Sequence, residues 1–120
     1  MLSGKKILVA GGNGFLGSHV VELLRSGDSS QVFAPRTQDL FDFRKIEDCD
    51  YFINKSKPDL IINCAAVQGG IGYHSGKQAD LFWDNLAMGT NLLKSACMHS
   101  VPKFVNIIPG CAYPGYLEKD

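Results

Sequence analysis

Three glycines, Gly11, Gly14 and Gly17, fall at the spacing Gly-x-x-Gly-x-x-Gly, with Gly12 beside the first. They follow a short apolar run, residues 7–10, and open an amphipathic stretch that begins at Phe15. Strand, glycine turn and helix in that order form a site for a dinucleotide pyrophosphate. The first glycines let the chain turn tightly and approach the phosphates with no Cβ in the way. The last lets helix and strand pack closely, and the helix N-terminus turns its free N–H groups on the anion. The next apolar run ends Ala34-Pro35-Arg36-Thr37, with no carboxylate at its tip. A domain that selects NAD usually carries an acidic residue there for the adenosine ribose hydroxyls. Arg36 instead has the planar fork that suits a 2′-phosphate, which favours NADP and leaves NAD open. Asp39 is placed either to reach the adenine edge or to lead a helix as its cap.

These residues need a scaffold, and the pattern of the chain predicts one. Residues 7–10 read as a first buried strand. Residues 15–25 read as a helix with Leu16, Val20, Leu23 and Leu24 toward one face and Gly27 placed to end it. A second strand over 31–34 is closed by Pro35, and 39–40 could form a brief third. Asp42 can cap a helix running to about residue 57, on which Ile46, Cys49 and Ile53 share a face. Pro58 breaks that pattern, and 60–65 reads as a fourth strand buried on both sides. Residues 67–76 contain four glycines and read as a loop. The longest helix is expected over 80–100, with Phe82, Leu86, Gly89, Leu93 and Ala96 recurring at steps of four and three. A fifth strand follows over 104–108.

Strands separated by helices imply parallel pairing through right-handed crossovers. The expected fold class is α/β, a Rossmann-type doubly wound parallel sheet of order 3-2-1-4-5, truncated after its fifth strand. Residues 1–120 would then form one incomplete dinucleotide-binding domain, with the substrate domain absent. In such a sheet the ligand sits beyond the C-terminal strand ends, at the switch between the first and fourth strands. The segments that meet there are 11–17, 35–39, 65–72 and 109–113, each rich in glycine, proline or polar residues.

Composition excludes several other classes. Lys plus Arg equals Asp plus Glu at 12 each, so no global charge argues for nucleic acid or an anionic membrane. No apolar run approaches the roughly 18 residues that span a bilayer, and the N-terminus is too short in apolar residues for a signal-peptide core. A soluble, cytoplasmic protein is expected. Four scattered cysteines show no metal-ligand spacing, so no metal is expected, and Cys64 and Cys97 read as small packed hydrophobes.

The motifs also resemble a known family, the extended short-chain dehydrogenases of the NAD-dependent epimerase/dehydratase type, which act on nucleotide sugars. GGNGFLGSHVVELL (11–24) is similar to their first motif, and DNLAMGTNLLKSA (84–96) to their Asn-x-x-Gly-Thr-x-Asn-Leu-Leu helix. NCAAVQGGIGYH (63–74) and GCAYPG (110–115) resemble the GDP-fucose synthase branch. The resemblance implies an NADP-dependent epimerase/reductase, with a nucleotide sugar, GDP-linked, as substrate. It implies that Gly11, Gly12, Asn13, Gly14, Phe15, Leu16 and Gly17 hold the pyrophosphate. Residues 37–42, among them Thr37, Asp39 and Leu40, would lie along the adenosine. Ala65 and Ala66 would lie along the middle of the cofactor, with Ile107 and Ile108 near the nicotinamide. Gly70, Ile71 and His74 would approach the substrate, although His74 also reads as a solvated loop histidine. Cys111 matches a cysteine that moves protons in epimerisation; the competing reading is a small buried turn residue.

Two departures stand out. The family's fifth strand ends in a Ser or Thr that hydrogen-bonds the substrate carbonyl, and the matching residue is Pro109, which has no donor at all. The reductase chemistry uses a Tyr-x-x-x-Lys pair that the family places farther along than residue 120. Tyr51 with Lys55, and Tyr73 with Lys77, match that spacing by accident: the first pair lies away from the active end, and the second in a glycine-rich stretch. Asn85 and Asn91 are expected to steady the long helix or the loops above it. Trp83 reads as core or interface. Two other functions stay open, a non-catalytic dinucleotide-binding or scaffold module and another nucleotide-sugar epimerase or dehydratase. This chain alone is expected to show no turnover, and its uncovered edge to invite a homo-oligomer or a C-terminal partner.

Overall fold

The computed structural model describes residues 2–27, 31–36 and 41–108. Strand β1 (Lys6–Ala10) runs into the glycine turn and helix α1 (Phe15–Ser26), then β2 (Gln31–Phe33). Helix α2 (Ile46–Ser56), strand β3 (Leu60–Asn63), the short helix α3 (Ile71–Gly76), helix α4 (Gln78–Met98) and strand β4 (Lys103–Asn106) complete the chain order. The four strands form one sheet in the order β2-β1-β3-β4, every pair parallel. That is the expected Rossmann order without its third strand, whose segment, 39–40, lies outside the described residues. The expected 60–65 and 104–108 strands are shorter than read.

β1 is an interior strand, so both its faces are covered, and after Lys6 its residues 7–10 are apolar and buried. Alternation divides it: Leu8 and Ala10 join Cys49, Ile53, Ile61, Leu92 and Ala96 under α2 and α4. Ile7 and Val9 join Val21 and Leu60 on the α1 side. At the end of α2, Lys57 takes a left-handed conformation (φ 44°) and its N–H reaches the Ile53 carbonyl at 2.8 Å, and Pro58 prevents continuation.

Several expectations are corrected. On α1 the buried residues are Gly17 and Val21, flanked by half-buried Val20 and Leu24, while Leu16 and Leu23 face out. Gly27 does cap α1, but in an extended conformation, with no left-handed turn. Asp42 does not cap α2, which starts at Ile46. Its carboxylate instead accepts from the Arg44 N–H at 3.0 Å in the preceding turn. The glycine-rich stretch is not all loop, since 71–76 coil into α3. On α4 the inward stripe is Leu81, Met88, Leu92, Ser95 and Ala96. Phe82, Leu86 and Leu93 are exposed, and Trp83 is 68% exposed and outside the core. Cys97 is exposed and Cys64 only half-buried; among the described residues Cys49 is the buried cysteine, its thiol pushed up to about 12 by burial and nearby carboxylates.

Candidate functional site: a cofactor cavity at the sheet switch

The site begins with the glycine turn. Gly11 follows β1 with φ +71°, a left-handed conformation, and a Cβ there would lie 2.6 Å from the Ala65 backbone. Glycine at this position therefore satisfies two demands, the turn and the close approach of the segment after β3. Backbone bonds tighten the loop: the Gly12 N–H reaches the Val9 carbonyl at 3.2 Å, and the Gly14 N–H reaches Gly11 at 2.9 Å. Gly14 then caps α1. The first N–H groups of α1 have no partner inside the helix, as at any helix start.

β3 delivers the opposite wall. The Cys64 N–H donates to the Ala10 carbonyl at 2.9 Å, holding the two strand ends side by side. Asn63, buried at the tip of β3, accepts from the Ala65 N–H at 3.1 Å and donates to Asn106 of β4 at 2.8 Å. One amide thus fixes both the exit of β3 and its spacing from β4.

α4 holds the rest in place. Asn85 grips the backbone of Val67 on both sides of its Cα, accepting from the N–H at 2.9 Å and donating to the carbonyl at 3.0 Å. Asn91 donates to the carbonyls of Phe43 and Arg44, at 3.3 and 2.9 Å. Both asparagines steady the loops, as their positions on an apolar helix imply. Arg44 adds a two-pronged contact with Asp42 and reaches Asp84 of α4 at 3.3 Å. The Arg44 guanidinium holds the Asp42 carboxyl below its ordinary range, chiefly through the side-chain hydrogen bond. Burial pushes the Cys64 thiol up.

Between these walls lies an open cavity of about 690 Å³. Gly11, Asn13 and Gly14 line one side, Pro35 and Arg36 the exit of β2, and Cys64, Ala65, Ala66 and Val67 the exit of β3. Residues 41–44 and Met88 of α4 close the remainder. A second cavity of about 580 Å³ lies on the α1 side, lined among others by Ser18, Glu22 and Arg25, and shares Asn13 and Arg36 with the first. The larger cavity sits beyond the C-terminal ends of β1 and β3, where an open α/β sheet binds its ligand. Its backbone-lined floor, narrowed to glycine where a Cβ would collide, fits a dinucleotide.

The model of the NAD dependent epimerase/dehydratase family matches residues 7–120. The chain belongs to that family. It is 33% identical over 119 residues to the GDP-L-fucose synthase of Azorhizobium caulinodans, covering 98% of this chain and 37% of that protein. Against the GDP-L-fucose synthase of Sinorhizobium fredii the figures are 34% over 116 residues, 97% and 36%. Among solved structures, the Campylobacter jejuni GDP-mannoheptose C4 reductase with NADP bound matches with a TM-score of 0.86 at 24% identity. That match covers 95% of this chain and 36% of the other, and it shows the shared fold. The chain spans little more than a third of the curated relatives it matches.

Within this epimerase-family domain, the predicted residues divide. Gly11, Asn13, Gly14, Arg36, Ala65 and Ala66 line the larger cavity together. Gly12 lines the smaller one, and Gly17 is buried beneath the turn. Phe15 and Leu16 do not line either cavity, and the Phe15 side chain is 89% exposed. Ile107 and Ile108 are exposed beyond β4 and likewise stand apart from the cavity lining. Gly70 and His74 lie at α3, outside that lining, with the His74 ring receiving the Gly69 N–H at 3.4 Å; Ile71 opens the same helix. Thr37, Asp39, Leu40, Pro109 and Cys111 lie outside the described residues. Lys55 sits over the Tyr51 ring at 5.6 Å on α2, and neither residue lines the cavity; Lys77 sits over the Tyr73 ring at 5.0 Å. The second pair lies on a helix after all, with Lys77 just past its end. Phe43, Arg44, Cys64 and Met88 were missed as cavity residues. For Met88 the signal was its place between Asn85 and Asn91 on the helix, one turn from each.

Proposed function

We propose that this chain binds NADP in the larger cavity and forms the cofactor-binding part of a nucleotide-sugar epimerase/reductase of the GDP-fucose synthase type. The observation that carries this reading is the glycine-floored cavity at the switch between β1 and β3, with Arg36 at its β2 edge. The similarity to two GDP-L-fucose synthases supports it. On this reading the backbone of residues 11–17 takes the pyrophosphate, with the N-terminus of α1 supplying N–H groups. Arg36 faces the 2′-phosphate, Thr37, Asp39 and Leu40 lie along the adenosine, and Ala65 and Ala66 flank the middle of the dinucleotide. Ile107 and Ile108 stand nearest the nicotinamide. When bound, NADPH supplies hydride for a keto sugar. Cys111 moves a proton beside the sugar carbonyl, and Gly70, Ile71 and His74 approach the substrate. The substrate is a GDP-linked sugar and the protein works in the cytoplasm, as an oligomer or with a C-terminal partner segment.

Thermal unfolding with NADP⁺, with NAD⁺ and with neither tests the cofactor reading. A ligand at about 100 times its dissociation constant adds about 2.7 kcal/mol of stability. NADP⁺ is expected to raise the midpoint and NAD⁺ to raise it less. A folded sample that responds to neither would overturn the reading.

A further inference from the structure

Asn13 makes an unusual set of contacts for a residue of a glycine turn. Its Nδ2 donates to the carbonyls of both Ala34 and Pro35, each at 3.2 Å, and its Oδ1 accepts from Arg36 Nε, also at 3.2 Å. All three bonds run to the segment leaving β2, more than 20 residues away in the chain. Asn13 and Arg36 are also the two residues common to the linings of both cavities. The clasp therefore stands on the rim between them.

We propose that Asn13 is a positioning residue for cofactor choice, holding Arg36 at the rim so that the site favours a dinucleotide carrying a 2′-phosphate. The inference rests on the cofactor reading above. The physical reason is the length of the arginine side chain. An exposed guanidinium on a free stem samples many rotamers and loses that freedom when it grips a phosphate. A guanidinium whose Nε is already bonded presents its terminal nitrogens from a narrower set of positions, so less is lost on binding. The two bonds to the Ala34 and Pro35 carbonyls do the same for the backbone that carries it. Asn13 needs no contact with the ligand to act this way; its effect passes through Arg36.

Calorimetric dissociation constants for NADP⁺ and NAD⁺ test this on the whole chain, its Asn13→Ala, Asn13→Ser and Arg36→Met variants, and the Asn13→Ala/Arg36→Met double variant. The wild type is expected to prefer NADP⁺. Asn13→Ala and Asn13→Ser should each weaken NADP⁺ by about three- to tenfold, the scale of one or two exposed hydrogen bonds. Any loss the two cofactors share at the glycine turn cancels in the ratio of their constants, so the preference for NADP⁺ over NAD⁺ should fall by about three- to tenfold, and thermal unfolding without ligand reports that each variant is folded. The double variant should bind NADP⁺ as the Arg36→Met variant does, because the asparagine acts through that arginine. If the Asn13 variants keep the preference that Arg36→Met abolishes, the inference falls and the cofactor reading stands. Equal weakening of both cofactors, or a full additional loss in the double variant, also overturns it. A wild type that binds neither cofactor overturns the cofactor reading itself.

Discussion

Replacing Gly17 with alanine should destabilise the protein, although alanine is the better helix former. Gly17 lies in the first turns of α1 and is buried against the glycine turn. In an unobstructed helix the change stabilises by about 0.5–1 kcal/mol, because alanine loses less backbone freedom on folding. Here a Cβ would lie 2.7 Å from the Gly11 carbonyl carbon and 2.8 Å from Gly12 Cα, and would collide with the Gly11 oxygen as well. Ordinary contact begins near 3.4 Å, so α1 and the turn must separate by about 0.7 Å or more. All three obstacles are backbone, and no flexible side chain can swing aside. Overpacking of this kind costs about 1–3 kcal/mol, which exceeds the propensity gain. The expected net loss is about 1–2 kcal/mol, or about 4–8 °C in the thermal midpoint for a domain of this size. Gly89→Ala is the control. Gly89 is in α4, and a Cβ there meets nothing closer than the Asn63 side chain at 4.0 Å. That variant should gain about 0.5–1 kcal/mol. Thermal and urea unfolding of both variants beside the wild type would decide the matter. A Gly17→Ala protein as stable as the wild type would refute the claim that backbone contact selects glycine there.

Two further outcomes are expected. Asn85→Ala removes the grip on Val67 and should cost about 1–2 kcal/mol; hydrogen exchange of the Val67 amide, which donates to Asn85 at 2.9 Å, should quicken by about tenfold. The Arg44 hydrogen bond holds the Asp42 carboxyl below its ordinary range, so its contribution is full above about pH 4 and is lost as pH falls through the folded value. With Arg44 45% exposed and the pair screened by water, Asp42→Asn should cost about 0.5 kcal/mol near neutral pH. The gap in urea midpoint should narrow and close as pH falls below the ordinary carboxylate range.

The opening strand, turn and helix were legible because their signal is local. An apolar run, glycines at a fixed spacing and an amphipathic stretch dictate β1, the turn and α1 without reference to anything distant. The faces of the helices were less legible, and α4 shows why. Phe82, Leu86 and Leu93 satisfy helical periodicity as well as Leu81, Met88 and Leu92 do, so the helix carries two apolar stripes. Hydropathy prefers the stripe with the larger side chains. Docking prefers the other, because that stripe also carries Asn91 and Ser95, whose polar atoms have partners across the interface. A pattern that scores asparagine and serine as outward-facing reads the helix a step out of register. α3 was missed for a related reason, since four glycines over 67–76 argue for loop and four of its six residues are not glycine.

The same contrast governs the site. Its floor is built from neighbours in sequence and can be read as a motif. Its walls are joined by side-chain amides that act over long separations: Asn13 to the exit of β2, Asn63 to β4, Asn85 to the segment after β3, and Asn91 to the turn before α2. Asparagine suits this work because one short, uncharged group both donates and accepts, so it can satisfy peptide groups at a loop without burying a charge. A strand end in a doubly wound sheet leaves such peptide groups unpaired where the ligand must enter, and each has to find a partner. The asparagines therefore mark where the walls are fastened, and Arg36 and Val67 are placed as firmly by distant amides as Gly11 is by its own backbone.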